Sequence, residues 1–151
     1  MRSLEGSRRY FAKVGRCVHC DAIKAEKKAR LRVVAENDRA IAFAPFASWN
    51  AYEVKIYPKR HIPNFEESSK EDLATAAELL GLVLRRMEAR LKSPDNNFFI
   101  HTGPLKGSRD KKSYHWHIEV APKLSIAAGF ELATGMDINA VAPEAAAKKL
   151  R

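Results

Sequence analysis

Two periods of apolar residues alternate along the chain. From Ser68 onward, "SSKEDLATAAELLGLVLRRMEARL" sets Leu73, Ala77, Leu80, Leu84, Met87 and Leu91 at three- and four-residue steps, the spacing of one face of an amphipathic helix. Ser68 or Ser69 stands where an N-cap belongs, Glu71 and Asp72 follow at once, and Pro94 lies past the end. Elsewhere the period is two. "YEVKIYP" sends Val54 and Ile56 one way and Glu53, Lys55 and Tyr57 the other, with Pro58 closing the strand. "RLRVVAEN" and "AIAFAPF" read as short strands parted by Asn37 and Asp38, a hairpin signal. "NNFFIHTG" makes a fourth strand stopped by Gly103 and Pro104, and "SYHWHIEV" a fifth.

The flanks are less regular. Residues 1–16 read as a lead-in arm or short helix, followed by a knuckle at Cys17 and Cys20. Residues 123–151 form a C-terminal extension in which Gly129 and Gly135 interrupt the pattern and a short helix closes the chain, with Pro143 at its start. The pattern predicts an α+β fold: a mostly antiparallel sheet of about five strands, flanked by one long helix and short terminal helices. At 151 residues the chain supports one hydrophobic core, so 1–151 is read as a single domain.

Composition narrows the setting. With 46% hydrophobic and 30% charged residues, no apolar run near the ~20 residues of a membrane span and no signal-peptide pattern, a soluble protein with a cytoplasmic location is expected. The net charge of +9 asks for an anionic partner, and phosphate-bearing small molecules satisfy it as well as nucleic acid does. The basic segments "KAEKKARLR", "LRRMEARLK", "LKGSRDKK" and "KKLR" are scattered, as on solvated helix faces and loops. No zinc-finger frame or RNA-binding aromatic signature accompanies them, so a nucleic-acid partner is not expected.

The candidate chemistry is concentrated in histidine and cysteine. In a strand, His115, His117 and Glu119 share one face, in steps of ~6.6 Å, while Tyr114, Trp116, Ile118 and Val120 share the core face. Cys17 and Cys20, as C-x-x-C after a polar basic segment, suit a metal half-site better than a redox pair or a disulfide. Tetrahedral zinc needs two more ligands, and His61 and His115, at strand ends, are the best placed. His19 points away from the knuckle and is expected to be exposed. His101 ends a neighbouring strand, either as a structural histidine or at the border of the same cleft. With His115 on the metal, His117 is free as a nucleophile toward phosphorus or as a general base. Lys111, Lys112 and Ser113 stand ready to neutralise the phosphate. Glu119 would repel that phosphate; it suits a sugar hydroxyl, a metal, or the tautomer of His117.

Taken in order, "CVHC", "IYPKRHIPNF", the long helix, "HTGP" and "HWHIEVAP" resemble the histidine-triad (HIT) superfamily of nucleotide hydrolases and transferases. The lead-in "GSRRYFAKVGRCVHCD" and the tail from "SYHWHIEV" to the end are similar to the C-terminal half of the galactose-1-phosphate uridylyltransferase family. The resemblance implies an antiparallel sheet flanked by helices, zinc at Cys17, Cys20, His61 and His115, and His117 at the position that takes a covalent nucleotide. It offers a rival metal set of His61, His117 and Glu119 with a carboxylate from another half. It also implies that Gly129, Phe130 and Glu131 hold a hexose across a subunit interface. The third motif position is Glu119, where HIT hydrolases have His and the family's catalytic half has Gln. Three functions follow: UMP transfer between UDP-hexose and hexose 1-phosphate, with a homodimer or a separate N-terminal half completing the site; a stand-alone HIT nucleotide hydrolase or transferase; or a zinc-stabilised half-domain that binds nucleotide or sugar phosphate without catalysis.

Overall fold

Asn37 turns the chain between the first two strands: its side-chain oxygen accepts from the Ala40 N–H at 2.8 Å, the local bond that favours Asn in turns. The computed structural model describes residues 2–104, 111–124 and 128–151. Two helices lead in, α1 (Arg2–Val14) and α2 (Val18–Ala29), followed by strands β1 (Val33–Glu36), β2 (Ala40–Phe43) and β3 (Val54–Pro58). A short 3-10 turn, Phe65–Glu67, precedes the long helix α3 (Lys70–Leu91). Strands β4 (Asp95–His101) and β5 (His117–Lys123) follow, then α4 (Gly129–Thr134) and α5 (Pro143–Leu150). The lead-in is thus a helix, and Pro143 opens α5 as expected. Residues 105–110 of the predicted basic loop and residues 125–127 of the tail lie outside the described residues.

The strands form one antiparallel sheet in the order β1-β2-β3-β5-β4. The α+β reading is borne out. The last strand enters between β3 and β4, which places His117 and Glu119 in the interior of the sheet with neighbours on both sides. Register fixes those neighbours: Lys55 opposes Glu119 from β3, and Phe99 and His101 oppose Glu119 and His117 from β4.

The two faces differ in kind. On one, Val54, Ile56, Trp116, Ile118 and Val120 meet Ala76, Leu79, Val83 and Met87 of α3 and Ala146, Ala147 and Leu150 of α5. Each large apolar side chain buried there contributes about 1.5–3 kcal/mol. The buried stripe of α3 runs Asp72–Ala76–Leu79–Val83–Met87. Leu73, Leu80, Leu84 and Leu91 lie half-buried on its flank, and Ala77 is exposed. The cap sets this rotation. Ser69 accepts from the Asp72 N–H at 3.1 Å and Asp72 accepts from the Ser69 N–H at 3.4 Å, while Asp72 turns inward to meet Arg60 at 2.7 Å and Arg39 at 3.3 Å.

On the other face, α2 covers the sheet at the β1–β2–β3 side, where Ile23 packs with Val33, Ile41, Phe43 and Tyr57. The basic stretch after the cysteines is this helix, with Lys24, Lys27 and Lys28 exposed and Glu26 buried against Arg32 at 2.8 Å. Beyond α2, toward β5 and β4, this face carries the histidines. In the tail, α4 ends at Gly135, whose φ of 66° is the left-handed cap conformation glycine adopts without strain. Among the described residues no helix is long and apolar enough to cross a membrane.

Candidate active site and metal centre

Cys17 sits at the N-cap of α2, Cys20 one turn inside it, His61 just beyond β3, and His115 just before β5. These four offer ligand atoms that all lie within 4.8 Å of one another. The Cys20 Sγ is 3.1 Å from the His61 Nδ1 and 3.5 Å from the His115 Nδ1. His61 donates its Nε2–H to the Lys111 carbonyl at 2.8 Å, which fixes the tautomer and leaves Nδ1 with its lone pair toward the sulfurs, the second-sphere arrangement metal-bound histidines use. The His115 side chain is fully buried and its Nε2 has no hydrogen-bond partner among the described residues. Two thiols and two imidazole nitrogens converging this closely fit a tetrahedral zinc-type site. The Cys17 thiol is lowered to about 4, first by the hydrogen bond from Cys20 and then by His61. Cys20 is correspondingly raised, as one proton is shared between two sulfurs.

One step along β5, His117 lies in a stack of rings. Tyr57, the next residue after the Ile56–Ile118 pair, stacks on it at 4.7 Å between centroids, and His101, its partner in register, at 4.7 Å from the other side. His117 donates Nδ1–H to the His115 carbonyl at 3.2 Å, so its Nε2 carries the lone pair. Burial holds it well below the ordinary histidine range, as a neutral imidazole. Burial likewise lowers His101.

His19 is corrected by the structure. It does point away from the cysteine pair, yet it is half-buried over the site instead of exposed, 5.1 Å from the His117 ring. Ser7 donates to the Ser3 carbonyl at 2.9 Å and so accepts from His19 Nε2–H at 3.2 Å. His19 Nδ1 then accepts the Tyr57 hydroxyl at 3.3 Å. Helicity is what the knuckle reading missed: in α2, His19 and Cys20 are successive residues about 100° apart on the helix, so one reaches the metal set and the other the ring stack. Tyr114 also departs from expectation. It packs on the histidine side, 5.3 Å from His19, because residues 114–116 precede the regular strand and do not yet alternate.

Glu119 is buried and contacted on both oxygens. It accepts the Trp49 indole N–H at 2.8 Å on one oxygen, and on the other meets Lys55 at 3.0 Å and His101 Nε2 at 3.5 Å. Burial alone would raise its pKa, but Lys55 and the Trp49 bond hold it below the usual carboxylate range. Lys55 is shared with the fully buried Glu53 at 3.4 Å. Of the rival metal set, His61 lies with the cysteines, while His117 and Glu119 gather with His101. With Lys55 already on the carboxylate, that second trio is less suited to a cation than the cysteine set.

The remaining predicted residues are spread out. Lys112 is exposed and Ser113 buried beside the site loop. Lys111 pairs with Glu67 at 2.7 Å. Gly129, Phe130 and Glu131 form the first turn of α4, the first two exposed and Glu131 half-buried, where Glu131 accepts from the Ala128 N–H at 3.2 Å. No hydrogen bond or ring contact among the described residues joins them to the histidines. Trp49 went unread because its role comes from a loop folding over β5, which periodicity does not report.

Residues 3–151 match the family described as galactose-1-phosphate uridyl transferase, C-terminal domain. An ADP-glucose phosphorylase of Arabidopsis thaliana is 36% identical over 149 residues, 98% of this chain and 41% of that protein. A solved uridylyltransferase superposes with a TM-score of 0.88 at 30% identity, covering 99% of this chain and 48% of that one. A zinc-bound histidine triad family protein from Mycobacterium smegmatis, 19% identical, shares the fold with a TM-score of 0.63 over 89% of this chain and 90% of its own. The chain therefore spans about half the length of the phosphorylase and uridylyltransferase that it resembles.

Proposed function

We propose, for a chain that belongs to the galactose-1-phosphate uridyl transferase family through its C-terminal domain, that it takes part in nucleotidyl transfer between a nucleotide sugar and a sugar 1-phosphate. The observation that carries this is the tautomer of His117. Its Nδ1–H is committed to the His115 carbonyl, so Nε2 is the free lone pair of a neutral ring. That nitrogen attacks the α-phosphorus of a UDP- or ADP-hexose. The P–N bond forms as the bond from phosphorus to the bridging oxygen breaks, and hexose 1-phosphate leaves with that electron pair. The ring becomes cationic, with the His115 carbonyl facing its Nδ1–H and the Glu119 carboxylate reaching it through the stacked His101. The phosphate of an acceptor sugar then attacks the same phosphorus and releases Nε2.

Cys17, Cys20, His61 and His115 would hold zinc, which supplies no chemistry to substrate but clamps the strand that carries His117. Lys112 and Ser113, in the segment before β5, would meet the incoming phosphates. Gly129, Phe130 and Glu131, on the first turn of α4, would reach the hexose of a site formed with a second copy or with a separate N-terminal half, in the cytoplasm. A second reading, a nucleotide- or sugar-phosphate-binding half without catalysis, is favoured by one observation: the buried Glu119 carboxylate lies one strand step from the nitrogen that must approach a phosphate.

Incubation of the zinc-replete protein with labelled UDP-glucose, and separately with ADP-glucose, decides between them. An acid-labile label on the chain that is absent in His117→Gly supports transfer, and the donor that labels identifies the base. No label from either donor refutes transfer and leaves the binding reading.

A further inference from the structure

Downstream of His117, the same sheet face carries a strip of side chains of which the transfer step above uses Glu119 alone. Glu119, Ala121 and Lys123 alternate onto this face of β5, and Phe99 and Asn97 lie beside Glu119 and Ala121 on β4. The loop before β3 folds over the strip and donates the Trp49 indole N–H to Glu119. Trp49 and Phe99 are each 45% exposed, so two aromatic surfaces flank one buried carboxylate, one joined to it by a hydrogen bond and the other by register. Next along, a cavity of about 90 Å3 is lined by Asn50, Asn97, Ala121 and Lys123.

The chemistry of this strip is selective. Two ammonium groups, Lys55 and Lys123, face three carboxylates, Glu53, Glu119 and Asp95, so a phosphate gains nothing by lying over it. A polyhydroxylated ring does: its hydroxyls donate to the remaining lone pairs of Glu119 and exchange bonds with the Asn50 and Asn97 amides. Its C–H faces pack on exposed aromatic rings. The distance also suits such a ring. His117 and Glu119 are separated by one strand repeat, ~6.6 Å, so a phosphate at His117 puts the sugar esterified to it over Glu119.

We propose that the strip formed by Trp49, Phe99, Glu119 and Asn97 is the seat of the substrate's hydroxyl-bearing ring, ribose or hexose, with its phosphate directed back toward His117. The inference rests on the nucleotidyl-transfer reading only for the placement of the phosphate. Glu119, which departs from the residue types found at this motif position, thereby has a positive role: it trades affinity for phosphate at its own position for affinity for vicinal hydroxyls.

The test is binding calorimetry on a His117→Asn protein, which cannot form the adduct, using glucose 1-phosphate, uridine monophosphate and inorganic phosphate as probes. At least one phosphorylated sugar is expected to bind tighter than inorganic phosphate. Glu119→Ala, Trp49→Ala and Phe99→Ala are each expected to weaken it tenfold or more without weakening inorganic phosphate. Tight glucose 1-phosphate identifies a hexose seat, and uridine monophosphate alone a ribose seat. Phe99 is exposed, so its variant is expected to fold, as its melting curve would report. Phosphorylated sugars that bind no better than inorganic phosphate, or equally well to all three variants, overturn the proposal. Adduct formation with variant binding unchanged sinks the seat but keeps the transfer; the loss of binding in variants without any adduct in the parent does the reverse.

Discussion

Replacing Lys55 with Met removes the ammonium that two buried carboxylates share. Lys55 lies 3.0 Å from Glu119 and 3.4 Å from Glu53. At an effective dielectric of ~20 each such pair attracts by about 5 kcal/mol before desolvation is subtracted. Cutting one partner from a buried pair has a net cost of about 3–5 kcal/mol, since the charges left behind remain out of water. The same change should invert part of the acid response. In the parent, Glu119 lies below its ordinary range, so its contribution is present above the unfolded carboxylate value near 4.5 and is lost as pH falls through the folded one. In Lys55→Met both carboxylates lose their cation, and burial, already raising Glu53, raises Glu119 too. Their stabilisation is then present at low pH and lost as pH rises through the raised values. Thermal unfolding of metal-replete protein at pH 5 and pH 7.5 reads both effects. At the higher pH the variant should melt about 6–20 °C lower, at ~2–4 °C per kcal/mol for a chain of this size, and the gap should narrow at pH 5. A variant within 1–2 °C of the parent at both values refutes the argument that Lys55 holds the two charges in place.

Two further outcomes are expected. Purified protein should carry about one zinc per chain by elemental analysis, and Cys17→Ser with Cys20→Ser should remove it and lower the melting temperature; protein that folds normally and binds no transition metal argues against the site. Asp72→Ala, which removes half of a capping box and the contacts to Arg60 and Arg39, should destabilise by about 2 kcal/mol, or ~4–8 °C, and an unchanged melting curve would show that Ser69 caps α3 unaided.

What the sequence made legible was whatever depends on period. The alternation in "YEVKIYP" and "HWHIEV" put Lys55, Tyr57, His117 and Glu119 on one face, and register then made them neighbours. The C-x-x-C pair, His61 and His115 were readable because metal ligands are few in kind, and the fold brings these four together. Partners that come from packing of one element onto another were not legible. His19 was assigned to solvent since nothing in "RCVHCD" says that a helix begins at Val18, and Trp49 reaches Glu119 from a loop without a period. The leucine rows of α3 predicted the helix but not its rotation, because leucines occupy both flanks of a stripe whose centre is set by Asp72 and the small Ala76.

The converging cysteines and histidines have a consequence for folding. Cys20 is 41 positions from His61 and 95 from His115, so an ion joining them closes two long loops. The entropy of such closure grows only with the logarithm of loop length, yet it must be met before any contact between α2 and β5 is rewarded. An ion captured early by Cys17 and Cys20 would act as a tether that holds the leading helices near the sheet while β5 finds its slot between β3 and β4. Stripped of it, α1 and α2 are the segment expected to lift away first, as a local opening that amide exchange would detect while the sheet and α3 stay protected.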